Sequence, residues 1–241
     1  MITLERVSEK TFIPVLRMKL PPEQERFVAS NAVSLAQAWL YYDQAKPFAV
    51  LKDGEAVGFL MLDWDENERT CGIWRLMIAP EHQKKGCGRA AMEEALKLIR
   101  ESGRFDLVHL SFVPGNEAAK RLYASLGFVE TGETDEDEIV MVLPLTDRPG
   151  IGFRPAEEDD LAELWELIES EREKNTALPP FFSEDALIAA VLNGEVLRLT
   201  LMGKTVGLFW RGALLLADEH RSRLPEAQEA VRRYRAQKTT S

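Results

Sequence analysis

Between Trp74 and Glu101 the sequence reads W-R-L-M-I-A-P-E-H-Q-K-K-G-C-G-R-A-A-M-E-E-A-L-K-L-I-R-E. The apolar run 76–78 is typical of a strand, and Pro80 follows it. A basic loop, residues 83–89, then leads into a segment whose apolar residues recur at helical spacing. Glycines just before a helix leave its first amides open, and these amides, with the helix dipole and nearby cations, suit a phosphate or pyrophosphate. The stretch therefore predicts a strand, an anion-binding loop and a helix.

The composition narrows the class of protein. The chain has 241 residues, of which 45% are hydrophobic and 29% charged, which is ordinary for a soluble globular protein of one large or two small domains. It has neither a run of about 18 apolar residues nor the basic start of a signal peptide, so we expect no membrane partner and a cytoplasmic location. A net charge of −10 argues against nucleic-acid binding and suits a cationic small substrate, although acidic balance also serves solubility.

Cysteines and histidines give no sign of a metal site. Cys71 and Cys87 are too few for a disulfide framework or a four-cysteine zinc site, and the three histidines lack metal-ligand spacing. We therefore predict no metal and a reducing compartment.

The first part of the chain predicts a strand, helices and then a meander of strands. We expect a strand over 2–7, a helix over 9–20 and one or two helices within 23–41. Asp53-Gly54 between two apolar runs is a strong hairpin signal. Pro47 should interrupt the structure before the hairpin, and the next turn should fall within 63–69. The last strand before the anion-binding loop is predicted over 70–78.

The part after the loop predicts a strand, a helix and a final hairpin. The strand is expected over 107–112, and Asn116 is a good cap for a helix over Glu117–Ser125. A strand should begin at Phe128, and an acidic turn should join it to a strand over 139–143. The order predicts the α/β class, with a mixed, largely antiparallel sheet and flanking helices.

A linker over 145–150 divides the chain into a domain at 1–146 and a smaller α+β domain at 150–241. The second domain reads as a shorter copy of the first. Residues 197–210 parallel 48–61, and residues 214–220 parallel 76–82. Chance similarity between short strand–turn–strand pieces is the alternative.

The possible copy lacks the anion-binding loop. In the same register Leu224 replaces Gly86 and Glu226 replaces Gly88. A leucine and a carboxylate would stand where a phosphate must approach. We therefore expect a truncated, degenerate copy that binds no such ligand.

The loop does not match the two common nucleotide-binding patterns. A Walker loop needs G-x-x-x-x-G-K-[ST], which does not occur. Gly86-x-Gly88-x-x-Ala91 satisfies a relaxed dinucleotide pattern, but that pattern sits directly at a strand end in a parallel unit, with an acid about 20 residues on. Here residues 79–86 separate the strand end from the helix, and the strands before the loop are predicted as antiparallel hairpins. Neither feature fits the dinucleotide pattern.

Two blocks carry a more specific resemblance. Gln83, Gly86 and Gly88 form Q-x-x-G-x-G after a strand, which resembles the acetyl-coenzyme A signature of the GNAT N-acetyltransferases. Asn116 to Phe128 resembles the second block of that family, N-x-x-A-x-x-x-Y-x-x-x-G-F. The resemblance covers residues 2–145. It implies the GNAT acyl-CoA N-acyltransferase fold, acetyl-CoA as co-substrate, and acetyl transfer to a primary amine by direct attack in a ternary complex.

The resemblance also implies roles for individual residues. Backbone amides of Met77, Ile78 and Ala79 would polarise the thioester carbonyl. The cofactor would be held by Gln83, Lys84, Lys85, Gly86, Cys87, Gly88, Arg89, Ala90, Asn116 and Lys120. Tyr123 would be the general acid for the departing thiolate, because a phenol has a pKa near 10. Its alternative role is a core aromatic, and Cys87 is either a small loop side chain or a thiol able to pair with coenzyme A.

The general base stays open at this point. Candidates are Asp65, Glu66, Glu68, Glu130 and Glu138, or a chain of waters. The usual carboxylate on the strand before the loop is not evident, because Trp74-Arg75 occupies that part of the strand.

The acceptor is predicted by a finer resemblance. Residues 72–78 and 122–133 are similar to bacterial spermine/spermidine N-acetyltransferases, in which the acceptor is a polyamine. Acidic stretches at 63–68 and 135–138 could border an acceptor groove, or could simply be solvated turns. Aminoglycosides, amino acids and protein N-termini remain open as acceptors. The rival interpretation is a non-catalytic acyl-CoA sensor, whose C-terminal half-copy covers the site or forms a homodimer.

Overall fold

A computed structural model describes residues 1–174 and 178–240. These residues form two compact units. The N-terminal unit contains Met1–Glu66 and Thr70–Thr146, and the C-terminal unit contains Asn67–Arg69 and the described residues from Asp147 onward.

The N-terminal unit has seven strands and four α-helices. Its strands are β1 (Ile2–Arg6), β2 (Ala45–Lys52), β3 (Glu55–Asp65), β4 (Thr70–Ile78), β5 (Leu107–Phe112), β6 (Val129–Asp135) and β7 (Glu138–Pro144). Its helices are α1 (Glu9–Arg17), α2 (Asn31–Leu40), α3 (Cys87–Ser102) and α4 (Glu117–Ser125), with 3-10 turns at Glu25–Phe27 and Pro80–His82.

The strands form one mixed sheet in the order β1-β2-β3-β4-β5-β7-β6. All pairs are antiparallel except β4 with β5, which confirms the predicted mixed sheet with flanking helices. β4 and β5 are paired only where Thr70–Gly72 meets Leu107–His109. Beyond this seam β4 pairs with β3 and β5 with β7, so the two parallel strands separate toward their C-terminal ends.

Helices cover both faces of this sheet. On one face the apolar stripe of α3, including the fully buried Met92 and Ala95, packs on strand residues such as Leu60 and Val108. On the other face residues of α1 and α2 pack against Phe59. Each fully buried large side chain contributes about 1.5–3 kcal/mol to folding, so α3 is held firmly and fixes the position of the loop before it.

Several predicted boundaries are corrected. α1 ends at Arg17 rather than residue 20, because the backbone at Met18 is extended. Residues 23–41 contain a 3-10 turn and α2. Pro47 lies within β2 instead of breaking it. It is tolerated because it lies at the end of the β1–β2 ladder, where the Val7 amide still donates to the Pro47 carbonyl at 3.1 Å and only a return bond from the proline is missing.

The C-terminal unit is a smaller α+β region with its own sheet. Its elements are β8 (Gly152–Pro155), α5 (Leu161–Glu173), α6 (Glu184–Leu192), β9 (Val196–Leu201), β10 (Lys204–Trp210), β11 (Ala213–Leu216) and α7 (Leu224–Thr240), with 3-10 turns at Glu158–Asp160 and Asp218–Arg223. The strands form an antiparallel sheet in the order β11-β10-β9-β8.

The two units share internal details. The Ala79 amide donates to the Val57 carbonyl at 2.9 Å, and the Ala217 amide donates to the Val206 carbonyl at the same distance. In each unit the bond joins the residue after the fourth strand, β4 or β11, to a bulge in the third strand, β3 or β10.

A glycine follows the bulge in each unit, because a side chain there would collide with the neighbouring strand. A Cβ on Gly58 would lie 2.5 Å from the Met77 carbonyl oxygen, and one on Gly207 would lie 2.5 Å from that of Leu215. The units differ at the next helix. Gly86 precedes α3 with φ of +79°, whereas Leu224 at the start of α7 has φ of −49°.

Candidate active site

The separation of β4 from β5 opens a cavity of about 770 Å³ in the N-terminal unit, here called the first cavity. Its wall comprises residues 73–78 of β4, Ser111 and Phe112 of β5, Glu138 of β7, Leu20 and residues 24–29 before α2, Gln83, Lys84 and Gly88 near the start of α3, and residues 115–119, Leu122 and Tyr123 at α4. The cavity therefore joins the anion-binding loop to the interior of the sheet.

The start of α3 is built to receive an anion. Gly86 is the N-cap residue and supplies no side-chain cap, and the first turn contains no acidic residue. The first amides of α3 are thus open, and the helix dipole makes this end positive. Lys84 and Lys85 are exposed beside it. A Cβ added to Gly86 would meet no atom within 4 Å, so the approach to the amides is clear. These features fit a pyrophosphate group.

The backbone of β4 supplies further donors, and of the three predicted amides only that of Ile78 is among them. The Ala79 amide already donates to Val57, so it is not open to a substrate carbonyl and its predicted role is corrected. Amides of alternate strand residues point to the same side. The Met77 amide therefore points toward β3, while the amides of Leu76 and Ile78 point into the gap.

Gln83 organises the loop through its own side chain. Its Nε2 donates to the Ile78 carbonyl at 2.9 Å and to Gln24 Oε1 at 2.8 Å. Gln24 Nε2 donates back to Gln83 Oε1 at 3.1 Å. Gln83 thus ties the loop to the end of β4 and to the segment before α2, rather than presenting its amide to a ligand.

The predicted residues around α4 divide into two groups. Asn116 lines the first cavity, and its Oδ1 caps α4 by accepting from the Ala119 amide at 3.2 Å. Lys120 lines neither cavity and forms an ion pair with Glu130 at 2.8 Å. Asn116 is therefore positioned to contact a ligand, while the role of Lys120 stays a prediction.

Tyr123 is a buried member of the cavity wall. Its ring packs between Phe112 and Phe128, at centroid distances of 6.4 and 6.2 Å. Burial, with a smaller contribution from the Glu138 charge, raises the pKa of Tyr123 to about 12. The phenol therefore stays protonated at neutral pH and is able to donate a proton.

Among the predicted bases in the described chain, only Glu138 lines a cavity. Its carboxylate accepts a hydrogen bond from the Ser111 hydroxyl. Glu66 instead pairs with Arg104, and Glu130 pairs with Lys120. Glu68 belongs to the C-terminal unit, where Arg198 is 3.6 Å away.

A second cavity of about 490 Å³ adjoins the first. It is lined by Gln37, Asp63, residues 72–75, residues 109–111, Asp135, Glu136 and Glu138, and it shares residues 73–75, Ser111 and Glu138 with the first cavity. Four carboxylates and a single arginine, Arg75, give it a negative charge.

Arg75 is fixed in the shared wall. Its guanidinium donates to the Trp74 carbonyl at 2.7 Å and to Gln37 Oε1 at 3.2 Å. Burial lowers its pKa, and Glu138 opposes that effect. Arg75 and Glu138 are therefore close enough to interact where the cavities meet.

Several predicted site residues lie outside the first cavity. The predicted residues that line it are Met77, Ile78, Gln83, Lys84, Gly88, Asn116 and Tyr123, and those that do not are Ala79, Lys85, Gly86, Cys87, Arg89, Ala90 and Lys120. The Cys87 side chain is a free thiol buried in the core beneath the loop. Arg89 folds back onto the Ser125 hydroxyl and onto Glu93.

Sequence reasoning missed Ser111, Arg75 and the segment before α2. No motif marks them, since each reaches the cavity only through the folded chain. No group of three or more His, Cys, Asp or Glu side chains among the described residues could hold a metal.

Comparison with known proteins gives a consistent family. The family model described as acetyltransferase (GNAT) family matches residues 15–128. The [ribosomal protein bS18]-alanine N-acetyltransferase of Escherichia coli (strain K12) is 30% identical over an alignment of 108 residues. The alignment covers 41% of this chain and 71% of that protein. The chain belongs to the GNAT family of N-acetyltransferases, whose co-substrate is acetyl-CoA.

Solved structures share the fold. The spermidine N-acetyltransferase from Vibrio cholerae in complex with CoA and spermine superposes with a TM-score of 0.50 at 20% identity, over 59% of this chain and 95% of that one. Aminoglycoside acetyltransferase AAC(6')-Ib in complex with coenzyme A superposes with a TM-score of 0.52 at 18% identity, over 60% of this chain and 95% of that one. Within the described residues, no helix has the length and apolarity that a membrane span requires.

Proposed function

We propose that this enzyme transfers the acetyl group of acetyl-CoA to a primary amine of a small polycation such as spermidine or spermine, by direct attack in a ternary complex. The observation that carries the proposal is the position of Glu138 between a cavity suited to the donor and a second, strongly acidic cavity. A cavity lined by four carboxylates attracts a cationic acceptor and raises its local concentration.

The first cavity supplies groups that suit the donor. The open amides at the start of α3, with Lys84 and Lys85, bind the pyrophosphate. The amides of Leu76 and Ile78 point into the gap, where one of them polarises the thioester carbonyl and stabilises the negative charge that develops on its oxygen.

Two side chains suit the proton transfers. An amine attacks only after it loses its ammonium proton, and Glu138 accepts that proton directly or through water. The Ser111 hydroxyl holds the Glu138 carboxylate in place. As the carbon–sulfur bond breaks, Tyr123 donates its phenolic proton to the departing thiolate. The second proton, which the nitrogen loses as the amide forms, restores the phenol, and Glu138 returns the first proton to solvent.

Two other interpretations are tested by the same assay. A protein N-terminus is favoured as acceptor by the likeness to the bS18-alanine acetyltransferase. A non-catalytic acyl-CoA sensor would bind the donor without turning it over.

The experiment measures thiol release from acetyl-CoA with a panel of amines, comprising spermidine, spermine, an aminoglycoside, free amino acids and an alanine-initiated peptide. We expect fastest turnover with the polyamines. Faster turnover of the peptide would replace the polyamine by a protein N-terminus. Tight coenzyme A binding without turnover of any amine would leave the sensor interpretation.

The variant Glu138→Gln tests the proposed base. It keeps the shape of the side chain but cannot accept the proton, so kcat should fall about 100-fold near neutral pH. The matched control is Glu130→Gln, which removes a carboxylate that lines neither cavity. Equal rates for the two variants would remove Glu138 as the base.

A further inference from the structure

Three neighbouring strands place an acid, a glycine and a histidine side by side. In the sheet register Asp63 of β3 is opposite Gly72 of β4, and Gly72 is opposite His109 of β5. Laterally paired residues point to the same face of a sheet. Because Gly72 has no side chain, the flanking side chains lean over it: a Cβ there would lie 3.0 Å from His109 Cε1 and 3.1 Å from Asp63 Cβ.

Both side chains open onto the second cavity, and each feels the charge of neighbouring acids. Within the described chain, no hydrogen bond or ion pair forms on the Asp63 carboxylate or the His109 ring. Each is largely enclosed by protein, with part of its surface on the cavity. Burial raises the pKa of Asp63 and lowers that of His109. The imidazole is therefore neutral near pH 7, so that one ring nitrogen is an acceptor, and neither that nitrogen nor the Asp63 carboxylate has a donor among the described hydrogen bonds.

We propose that the second cavity binds a second ammonium group of the acceptor between Asp63 and His109. This inference rests on the proposed function, because it requires that the first amine of the same molecule reach Glu138. Ser111, which holds Glu138, and His109 are two residues apart on β5, or about 7 Å along the strand. The acceptor is then a diamine or polyamine whose amines are separated by a short methylene chain.

The chemistry of the pair matches a primary ammonium. An ammonium has three N–H donors and no acceptor. Asp63 provides one charge-assisted hydrogen bond, and the neutral His109 ring provides a second acceptor without repelling the cation. Asp135 and Glu136 add negative charge at the exposed edge of the cavity. A monoamine uses none of these groups.

The experiment compares putrescine, spermidine and butylamine as acceptors for the full chain and for Asp63→Asn. The readout is the ratio of kcat/KM for each polyamine to that for butylamine. We expect Asp63→Asn to lower this ratio about 10-fold, the scale of one lost hydrogen bond to a charged group. The control is Asp137→Asn, which removes the same charge from the neighbouring β6–β7 turn without lining either cavity.

A second variant tests the geometry. Gly72→Ala places a methyl group against the imidazole, so the ratio should fall again while circular dichroism reports an intact fold. If Asp63→Asn leaves the ratio unchanged, or lowers it no more than Asp137→Asn does, the second ammonium site is wrong even though the enzyme turns over amines.

A loss of all turnover in the unaltered chain would instead count against the proposed function. In that event, calorimetric binding of putrescine to the coenzyme A complex still decides the inference. Weaker binding by Asp63→Asn than by Asp137→Asn supports it, and equal binding overturns it.

Discussion

The proposed role of Tyr123 as proton donor depends on the burial of its side chain. Its ring is held by Phe112 and Phe128, and the raised pKa keeps the hydroxyl protonated. We expect Tyr123→Phe to lower kcat about 100-fold or more, because the thiolate then departs without a proton donor. The dissociation constant for coenzyme A, measured by calorimetry, should change little, since the ring and its packing remain.

Tyr42→Phe is the matched control for this variant. Tyr42 is 68% exposed and lines neither cavity, so its kcat should equal that of the unaltered chain. An unchanged kcat for Tyr123→Phe across the whole pH range would contradict the assignment of the general acid.

The same phenol gives a pH dependence of stability. In the unfolded chain a tyrosine titrates near pH 10, whereas Tyr123 in the folded chain titrates at about 12. Between these values the unfolded state loses its proton first, so the free energy of unfolding should fall as the pH rises. Urea unfolding followed through this range should show a smaller fall for Tyr123→Phe. An identical fall would mean that Tyr123 is solvated in the folded state.

At the scale of single residues, the sequence predicts which residues belong to a motif better than it predicts which residues meet in the folded chain. The block from Asn116 to Phe128 indicated Tyr123 because its spacing along one helix is local. Glu138 remained one of several acids, since its place beside Ser111 depends on the pairing of β7 with β5. The lateral neighbours Asp63, Gly72 and His109 come from three strands, so no local pattern could reveal them.

At the scale of elements, local signals explain which boundaries were predicted. The bounds of α4 follow from Asn116 as the cap and Gly127 as the stop, and both signals lie in the helix's own sequence. β3 continues through Asp65, so the next turn occupies only the later part of the segment 63–69 in which it is predicted. The polar end of β3 is held by pairing with β4, as far as Asp65 opposite Thr70. That pairing depends on the folded chain, so the local sequence does not reveal it.

α3 allows a matched test of its two ends. Gly86 before the helix and Gly103 after it both have positive φ, and a Cβ at either would meet no neighbouring atom. Alanine at each site should lower the free energy of unfolding by about 1–2 kcal/mol, measured by urea denaturation. Only Gly86→Ala should weaken coenzyme A binding, by about 10-fold, because its methyl group stands where the pyrophosphate approaches.

Gly103→Ala is thus the control for backbone strain. If the two variants weaken coenzyme A binding equally, strain transmitted through α3 would explain the loss. The assignment of the Gly86 loop as the anion site would then be contradicted.

At the scale of the whole molecule, we infer that the C-terminal unit is a truncated copy of the first half of the N-terminal unit. Both units have the order strand, two helices, three strands, 3-10 turn and helix. They also share the hydrogen bonds that Ala79 and Ala217 donate. The copy begins its last helix with Leu224 in a right-handed conformation and carries Glu226 in the first turn of α7. Neither leaves an opening for a phosphate.

Calorimetry of the full chain tests this inference. We expect one coenzyme A bound per chain, because α3 alone among the described helices begins after a glycine. Gly86→Asp, which places a carboxylate at that loop, should weaken binding at least about 100-fold through charge repulsion. A second binding event, or binding that survives Gly86→Asp, would show a working site in the C-terminal unit.

The separation of β4 from β5 has a consequence for the lifetime of the enzyme. Among the described residues, the seam at Thr70–Gly72 is the one place where strand pairing ties the two halves of the seven-stranded sheet. In the proposed complex, a donor bound in the gap occupies the backbone groups that a continuous sheet would have satisfied itself. Because a ligand of the folded state stabilises it according to its concentration, the supply of acetyl-CoA should set how long each molecule resists proteolysis. Metabolic state would then control the amount of this enzyme as well as its rate.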